Sequence, residues 1–221
     1  MLSEIRKVLV VVAHPDDEVL GCGGTILKLS ELYNAEVKVM FLNNGFARTQ
    51  AWDQRKAKEE IYQVAGQLLF TPIIKEYKTG KFDTYPLGTF VQEIQQVVDK
   101  FQPDTIITHD RGDLHNDHKV VHDAVMVCSR FKPTSSIRNV LTMPVISSSE
   151  INPAFNFVPN YYVDISNYVY EKIDAMAYYE QEQRVFSELR GAYGIKGWGM
   201  YYGMHIQVDY AEGFKIIRSC N

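Results

Sequence analysis

Residues 6–18 read RKVLVVVAHPDDE, an apolar run that ends abruptly in a histidine, a proline and three acidic residues. A short, continuously apolar and largely β-branched run predicts a strand at 6–12 that is buried on both faces. Strands of that kind belong to parallel sheets whose two faces are covered by helices. The polar residues that follow the run are therefore expected at the carboxyl end of a central strand.

The rest of the chain repeats this alternation of short apolar runs and helical stretches. Further strands are predicted at 36–42, 73–77, 104–108 and 139–145, with an edge strand at 161–165. Helices are predicted at 23–33, 53–69, 89–101, 118–129 and 166–184, the last capped by Ser166. The alternation predicts an α/β fold with a mostly parallel sheet flanked by helices on both faces. In such sheets ligands bind outside the carboxyl ends of the strands.

Length and composition are those of one globular domain. We interpret residues 1–221 as a single domain, with 46% hydrophobic and 23% charged residues. A formal net charge of −4 excludes the basic surface that nucleic acid or acidic lipid would require. The first apolar run is too short for a signal peptide or a membrane span. Three cysteines, Cys22, Cys128 and Cys220, lack metal-binding spacing and are interpreted as reduced thiols of a cytoplasmic protein.

Histidines concentrate at two of the predicted strand ends. Five of the six lie within residues 13–18 and 109–122. A catalytic zinc takes three protein ligands, often two histidines and a carboxylate, and keeps a fourth position for water. The two clusters together therefore predict one zinc ion per chain.

The predicted zinc ligands are His14, Asp17 and His118. His14 and Asp17 are three residues apart, about one turn, so both side chains can face one point. Pro15 biases His14 towards an extended backbone and holds the turn open. His118 would come from the start of the helix that follows the 104–108 strand, at a neighbouring strand end.

The same motifs supply groups for hydrolysis of an acyl–nitrogen bond. Zinc lowers the pKa of its bound water and polarises the scissile carbonyl. Asp16 is the predicted general base, since it lies between two ligands and is not needed by the metal. His115 is predicted to stabilise the developing oxyanion or to protonate the leaving amine. Asp117 is predicted to orient a histidine.

Each of these residues also has a structural interpretation. Asp17 could serve only as a first-turn acid of a helix, and Asp16 could be a solvated turn residue. His109 and His122 are interpreted as supporting residues rather than ligands, and His205 as a hydrogen-bonded structural residue. The joint occurrence of the two clusters at strand ends favours the metal site.

AHPDDE at 13–18 and HNDH at 115–118 resemble the two motifs of the PIG-L/LmbE-like deacetylases, (P/A)HPDD(E) and HxDH. Weaker similarities are Asn44-Gly45, Arg55 and Glu59, then Arg190-Gly191 and YAEGF at 210–214. The resemblance implies a Rossmann-like fold, one zinc, and hydrolysis of an N-acetyl group. The substrates it implies are GlcNAc units, free or joined to inositol, malate, a lipid or an antibiotic.

The resemblance also implies roles for individual residues. The first histidine, the second aspartate and the last histidine of the two motifs bind zinc in the family, and the first aspartate is the base. These positions are His14, Asp17, His118 and Asp16 here, in agreement with the chemical argument. His115 is implied to act on the transition state or the leaving group. Substrate contacts are implied for Asn44 and for Arg55, which alone would be interpreted as an exposed helical arginine.

Residues 190–204, RGAYGIKGWGMYYGM, are rich in glycine and aromatic residues and match no particular subfamily of these deacetylases. Five glycines predict a flexible loop. Trp198, with Tyr201 and Tyr202, is predicted to stack on a sugar face of the substrate. Alternatively these rings bury in the interface of a homo-oligomer.

Other functions are weighed against the deacetylase. An amidase for a larger acyl group or a thiol conjugate would differ in pocket size near the metal, which the sequence does not show. A catalytically silent sugar-binding protein would be favoured by loss of Asp16 or a ligand, and none is lost. A nucleotide-binding Rossmann domain is disfavoured, because GCGG at 21–24 is not G-x-G-x-x-G and acidic residues stand where a phosphate would lie.

Overall fold

A computed structural model describes residues 2–44, 54–130, 132, 134–149, 156–180 and 189–220. Its strands are β1 (Lys7–Val12), β2 (Glu36–Phe41), β3 (Thr71–Ile74), β4 (Thr105–His109), β5 (Asn139–Met143), β6 (Tyr161–Asp164) and β7 (Ala211–Arg218). Its helices are α1 (Asp17–Tyr33), α2 (Gln54–Leu68), α3 (Leu87–Phe101), α4 (Asn116–Cys128), α5 (Val169–Tyr178) and α6 (Ala192–Met204), with short 3-10 helices at Leu2–Glu4 and Phe82–Thr84.

One sheet of seven strands, in the order β3-β2-β1-β4-β5-β7-β6, forms the centre of the fold. The first five pair in parallel, and β7 runs antiparallel to both β5 and β6. The predicted fold class, a mostly parallel Rossmann-like sheet flanked by helices, is confirmed. β6 lies at the sheet edge, as predicted for 161–165.

The apolar run of β1 is explained by burial on both sides. Val8, Val10 and Val12 pack in the core under α1, α2 and α5. Leu9 and Val11 face the opposite core, under α3 and α4. Since successive side chains of a strand point to opposite faces, a strand covered on both sides is apolar at every position.

The chain reverses its direction of travel across the sheet at β1. From β1 it moves outward to β2 and β3, then crosses back to β4 on the other side of β1. The strand ends on either side of this reversal flank a crevice at the carboxyl edge of the sheet. Both histidine clusters follow strands that border that crevice.

Helix α1 starts six residues before the predicted beginning of that helix, at Asp17 rather than at residue 23. The helix contains one non-helical residue, Cys22, with φ −150° and ψ 20°. Only the segment after this break matches the prediction. Asp17 and Glu18 form an acidic first turn, which is favourable at the positive end of a helix.

Two further predictions are corrected. Helix α5 begins at Val169 after Tyr168, and Ser166 does not cap it; the Ser166 hydroxyl donates instead to Asp164 Oδ1 (2.6 Å). The helix ends at Tyr178, and residues 181–184 of the prediction lie outside the described residues. Strand β3 begins two residues earlier than predicted and ends three residues earlier.

Residues 192–204 form helix α6, so the predicted flexible loop is wrong. Close packing explains the glycines at 199 and 203. A β-carbon on Gly203 would lie 2.5 Å from the Val208 carbonyl oxygen, and one on Gly199 would lie 3.1 Å from the Tyr210 ring. These glycines let the helix approach its neighbours. Within the described residues, no helix has the length and apolar character needed to cross a membrane.

We expect Gly203→Ala to lower the free energy of unfolding by about 1–3 kcal/mol, because the added methyl group has no room beside Val208. Gly197→Ala is the matched control, since a β-carbon at Gly197 meets nothing within 4 Å. The control should raise stability by about 0.5–1 kcal/mol, the usual gain of alanine over glycine in a helix. Urea denaturation measures the free energy of unfolding of both variants. Equal changes in the two variants would contradict the close packing of α6 at Gly203.

Candidate metal centre and active site

The three predicted ligands meet at the carboxyl edge of β1 and β4. His14 Nδ1 lies 3.4 Å from Asp17 Oδ2 and 3.3 Å from His118 Nε2. His118 Nε2 lies 3.3 Å from Asp17 Oδ1. Around a tetrahedral zinc with bonds of 2.0–2.1 Å, neighbouring ligand atoms are about 3.3–3.4 Å apart. Asp17 contributes a different oxygen to each of its two contacts, and the three distances are close to the spacing that one small cation would require.

Two more histidines pack against His118. The ring of His109 stacks on it at 3.9 Å with an interplanar angle of 9°, and the ring of His115 stacks at 4.6 Å with an angle of 20°. The cluster thus offers two overlapping groups of possible ligands. They are His14, His115 and His118, and Asp17, His109 and His118.

His109 is poorly suited to be a ligand in spite of its position. Its Nε2 lies 3.5 Å from Asp17 Oδ2, but it accepts the backbone N–H of Ala13 at 2.9 Å. The lone pair that a metal would need is therefore already engaged. Burial and the neighbouring His118 lower the pKa of His109 well below its usual value, so the ring is neutral. The contact instead ties the end of β1 to the end of β4.

Asp117 lies behind His14, on the side away from the other ligands. Its carboxylate accepts His14 Nε2–H (3.0 Å) and the backbone N–H groups of Gly80 (2.6 Å) and Phe82 (3.1 Å). This network places the proton of His14 on Nε2 and leaves the lone pair of Nδ1 directed into the cluster. Such carboxylate–histidine pairs are a common support of metal sites.

Asp113 takes the corresponding place behind His118, and the sequence analysis did not single it out. Its Oδ2 lies 3.2 Å from His118 Nδ1 and accepts the hydroxyls of Ser148 (2.7 Å) and Ser149 (2.6 Å). Burial opposes ionisation, but His118 and the two serines outweigh it and hold the pKa of Asp113 well below its usual value. The only sequence signal was an acid within the histidine-rich loop.

The electrostatics of the cluster favour positive charge at its centre. Burial lowers the pKa of His118, but Asp17 and Asp113 outweigh it and raise the pKa to about 10. Burial likewise raises the pKa of Asp17, yet His118 and His109 bring it well below the usual range. Buried carboxylates are paired with a positive group or bind a metal. A donor set of two imidazoles and one carboxylate, backed by further carboxylates, fits a divalent metal.

Asp16 has a strained backbone beside this cluster. It is buried and has φ 102° and ψ −30°, a conformation that non-glycine residues rarely adopt. Such strain costs on the order of 1–3 kcal/mol and concentrates at functional sites. Asp16 Oδ2 accepts Arg190 Nη1–H at 2.6 Å, and its backbone N–H donates to Glu18 Oε2 at 3.1 Å.

Arg190 is a second residue that sequence reasoning did not assign to the site. Its Nε–H donates to Ser147 Oγ at 2.6 Å while Nη1 holds Asp16. The sequence offered only its spacing before the YAEGF stretch as a signal. Behind Asp16, Glu18 accepts the Tyr179 hydroxyl at 2.6 Å. Burial and the nearby Asp16 raise the pKa of Glu18 to about 8.

His115 precedes the first residue of α4 and caps that helix. Its Nδ1 accepts the backbone N–H of Asp117 at 3.2 Å, so the proton of the neutral ring lies on Nε2. Burial and the proximity of His118 lower the pKa of His115 to about 4. The ring is therefore neutral at pH 7 and can donate a hydrogen bond through Nε2.

The predicted substrate contacts are more dispersed. Asn44 is buried beyond the end of β2, and the preceding residue, Asn43, donates its backbone N–H to the Ala13 carbonyl (3.0 Å). Gly45 lies outside the described residues. Arg55 is on the surface of α2, with its side chain 83% exposed and its Nε 3.8 Å from Glu59 Oε1.

The two remaining histidines lie apart from the ligand set. His122 is buried and its Nδ1 lies 2.9 Å from the His109 carbonyl oxygen, within hydrogen-bond distance. His205 is exposed after α6 and stacks on Tyr162 at 5.3 Å. Trp198 lies on α6, where it lines a cavity of about 630 Å³.

Comparison with known proteins identifies the family to which the chain belongs. The model of the PIG-L family, described as GlcNAc-PI de-N-acetylase, matches residues 9–129, more than half of the chain and both histidine motifs. The chain belongs to the PIG-L family. The matched segment contains His14, Asp17 and His118. Arg190 and Trp198 lie after its end.

Relatives and solved structures cover nearly the whole chain. Diacetylchitobiose deacetylase of Thermococcus kodakarensis is 24% identical over 97% of this chain and 84% of its own length. The structure of N,N'-diacetylchitobiose deacetylase from Pyrococcus horikoshii has a TM-score of 0.81 at 22% identity, covering 98% of this chain and 85% of that one.

A solved structure of different activity has the same fold. GalB, the 4-carboxy-2-hydroxymuconate hydratase of Pseudomonas putida, has a TM-score of 0.74 at 16% identity and covers 98% of both chains. Since the fold accommodates more than one activity, function has to be argued from the site.

We expect Asp117→Asn to weaken zinc binding by about 10–100-fold, because the amide no longer fixes the tautomer and orientation of His14. Competition with a chromophoric chelator measures the affinity. Asp123→Asn is the matched control on the same helix, where Asp123 Oδ1 pairs with Arg111 Nε at the surface (2.8 Å). Equal zinc affinities for the two variants would contradict the role of Asp117.

Proposed function

We propose that this protein is a zinc-dependent N-deacetylase. It would hydrolyse the acetamide of a GlcNAc-type amino sugar, or of a conjugate of that sugar, to acetate and a free amine. The observation that carries the proposal is the spacing of 3.3–3.4 Å among donor atoms of His14, Asp17 and His118. Family membership and the names of the relatives support the substrate class.

The proposed roles follow from the geometry of the cluster. His14, Asp17 and His118 would hold the zinc, which would supply Lewis acidity and lower the pKa of the attacking water. Asp16 accepts the proton of the attacking water while Arg190 fixes the orientation of its carboxylate. The neutral His115 donates Nε2–H to the oxygen that gains negative charge. Cleavage of the C–N bond then requires a proton on the amine, and Asp16 can return the one it took from the water, whereas the neutral ring of His115 has no acidic proton to give.

We also propose a binding site for the part of the substrate that is attached to the amino sugar. The cavity of about 630 Å³ has an aromatic wall formed by Trp198, Tyr201 and Tyr202. Leu189 and Ser149 line it too. Ser149 donates to Asp113 in the metal cluster, and Leu189 precedes the arginine that holds Asp16. Two residues of the cavity lining are therefore next to residues of the candidate site, which supports substrate binding at Trp198.

The remaining proposals carry over from the sequence. Asn44 and Arg55 are proposed substrate contacts. Residues 1–221 are proposed to form a single deacetylase domain, and the proposed location of the protein is the cytoplasm. A homo-oligomer is the proposed alternative use of the aromatic surface of α6. The exposed side chains of Tyr193, Met200 and Met204 on α6 would suit such an interface.

The decisive test of the function is acetate release from a panel of N-acetylated sugars, with diacetylchitobiose and GlcNAc included. We expect one zinc per chain by elemental analysis and loss of turnover on chelation, since hydrolysis needs the activated water. Asp16→Asn should keep the zinc and lower kcat roughly 10²–10⁴-fold, the usual contribution of a general base. His118→Ala should lose the metal itself. A metal-free preparation with full activity would refute the proposal.

A variant at the mouth of the cavity tests the substrate surface. Gly197 lines the cavity, and a side chain there meets open space. Gly197→Trp should raise KM about tenfold for sugars with a bulky aglycone and leave the monosaccharide unchanged, because only the former reaches the cavity. Gly66→Trp on α2, also in open space, is the control. If both variants treat the bulky substrate alike, the cavity has no part in binding.

A further inference from the structure

Helix α1 (Asp17–Tyr33) is broken at Cys22, which leaves the helical conformation. The break separates a short first segment, residues 17–21, from a longer second segment, residues 23–33. At such a break the last carbonyls of one segment and the first N–H groups of the next lose their partners within the helix. The break is buried, so those groups need partners from elsewhere in the protein.

Two charged side chains supply these partners. Lys172 Nζ, from α5, donates to the Leu20 carbonyl oxygen at 3.0 Å, at the end of the first segment. Glu212, from β7, accepts the N–H groups of Gly24 (3.0 Å) and Thr25 (2.8 Å), at the start of the second. Lys172 and Glu212 also pair with each other at 2.6 Å, with side chains only 5% and 4% exposed.

The glycines at 21–24 allow this arrangement. A β-carbon on Gly24 would lie 2.8 Å from Ile165, and one on Gly21 would lie 2.5 Å from Met143 Sδ. A β-carbon on Gly23 would touch Lys172 itself at 3.4 Å. The GCGG stretch therefore has a packing role, and brings the break against the buried ion pair.

The first segment carries the candidate catalytic residues. Asp17 is its first residue, and the Leu20 N–H closes the turn by donating to the Asp16 carbonyl at 2.9 Å. Leu20 is also the residue whose carbonyl Lys172 holds. The five residues from Asp16 to Leu20 thus link the buried ion pair to both aspartates.

We propose that Lys172 and Glu212 are positioning residues, whose ion pair holds the break in α1 so that its first turn presents Asp17 to the metal and Asp16 to the substrate. The inference rests on the proposed function. Buried ion pairs add little stability compared with apolar residues of similar size. Orientation of the two helix segments is the contribution that apolar residues could not make, because they offer no partner to Leu20, Gly24 or Thr25.

The test compares neutral and charge-conserving variants with the wild type. The double variant Lys172→Met/Glu212→Gln removes both charges, so that neither is left buried alone. Glu212→Asp keeps the charge but shortens the side chain, and serves if the double variant does not fold. Lys58→Met/Glu76→Gln is the matched control, since Lys58 Nζ and Glu76 Oε1 form an exposed pair at 2.7 Å.

Two measurements are made at a temperature where circular dichroism shows each variant folded. The zinc dissociation constant should rise at least tenfold in the positioning variants and stay within twofold in the control. Hydrogen exchange of the metal-free protein should speed up across residues 17–25 in the positioning variants alone. A purely structural role would lower the midpoint of thermal unfolding and leave the zinc affinity of the folded protein unchanged.

The outcomes separate this inference from the proposed function. If the wild type binds zinc and releases acetate, and the folded variants match it in zinc affinity and exchange, positioning is overturned and the deacetylase stands. If the wild type binds no zinc, the proposed function fails. In that case faster hydrogen exchange across residues 17–25 of the positioning variants still supports the inference that the ion pair orients this turn. Unchanged hydrogen exchange in those variants overturns that inference.

Discussion

The parallel pairing of β1 with β4 is the constraint on which the candidate site depends. Val11 lies beside Thr108 in register, so both strands end at the same edge of the sheet. The Ala13 N–H then donates to His109 Nε2, which joins the two strand ends directly. Because of this pairing, two motifs about a hundred residues apart along the chain face one another across a few ångströms. The contacts of His118 with His14 and Asp17 follow from it.

Burial gives the cluster its chemical character. Carboxylates of Asp17, Asp113 and Asp117 lie among imidazoles where water is largely excluded, and each finds a hydrogen bond or a positive partner. The outer nitrogens of His14 and His118 face carboxylates, so their inner nitrogens face each other. A buried arrangement of acids around facing imidazoles is favourable only when positive charge lies between them. This preference, more than the number of histidines, makes the cluster suited to a metal.

Much of the support for the site comes from the C-terminal part of the chain. Arg190 holds Asp16, Tyr179 donates to Glu18, and Glu212 accepts two amides of α1. These residues follow the stretch matched by the PIG-L family model. GalB shares the fold and carries out a hydration, so the sheet alone does not select the reaction. The reaction depends on which groups the loops and the last helices bring to the sheet edge.

The sequence by itself determined the central strand, the fold class and the two motifs that converge. These features have local signatures: an apolar run covered on both faces, and ligands within one turn of each other. It did not determine where α1 starts, that residues 192–204 form a helix, or the structural roles of Asp113, Arg190 and Lys172. Arg190 and Asp16 are 174 residues apart, and the serines that hold Asp113 are 35 and 36 residues from it. Such contacts produce no periodic pattern in the sequence. The sequence also does not distinguish a glycine needed for close packing from a glycine in a loop. Only the tertiary structure decided them, because packing against distant elements outweighs local preference.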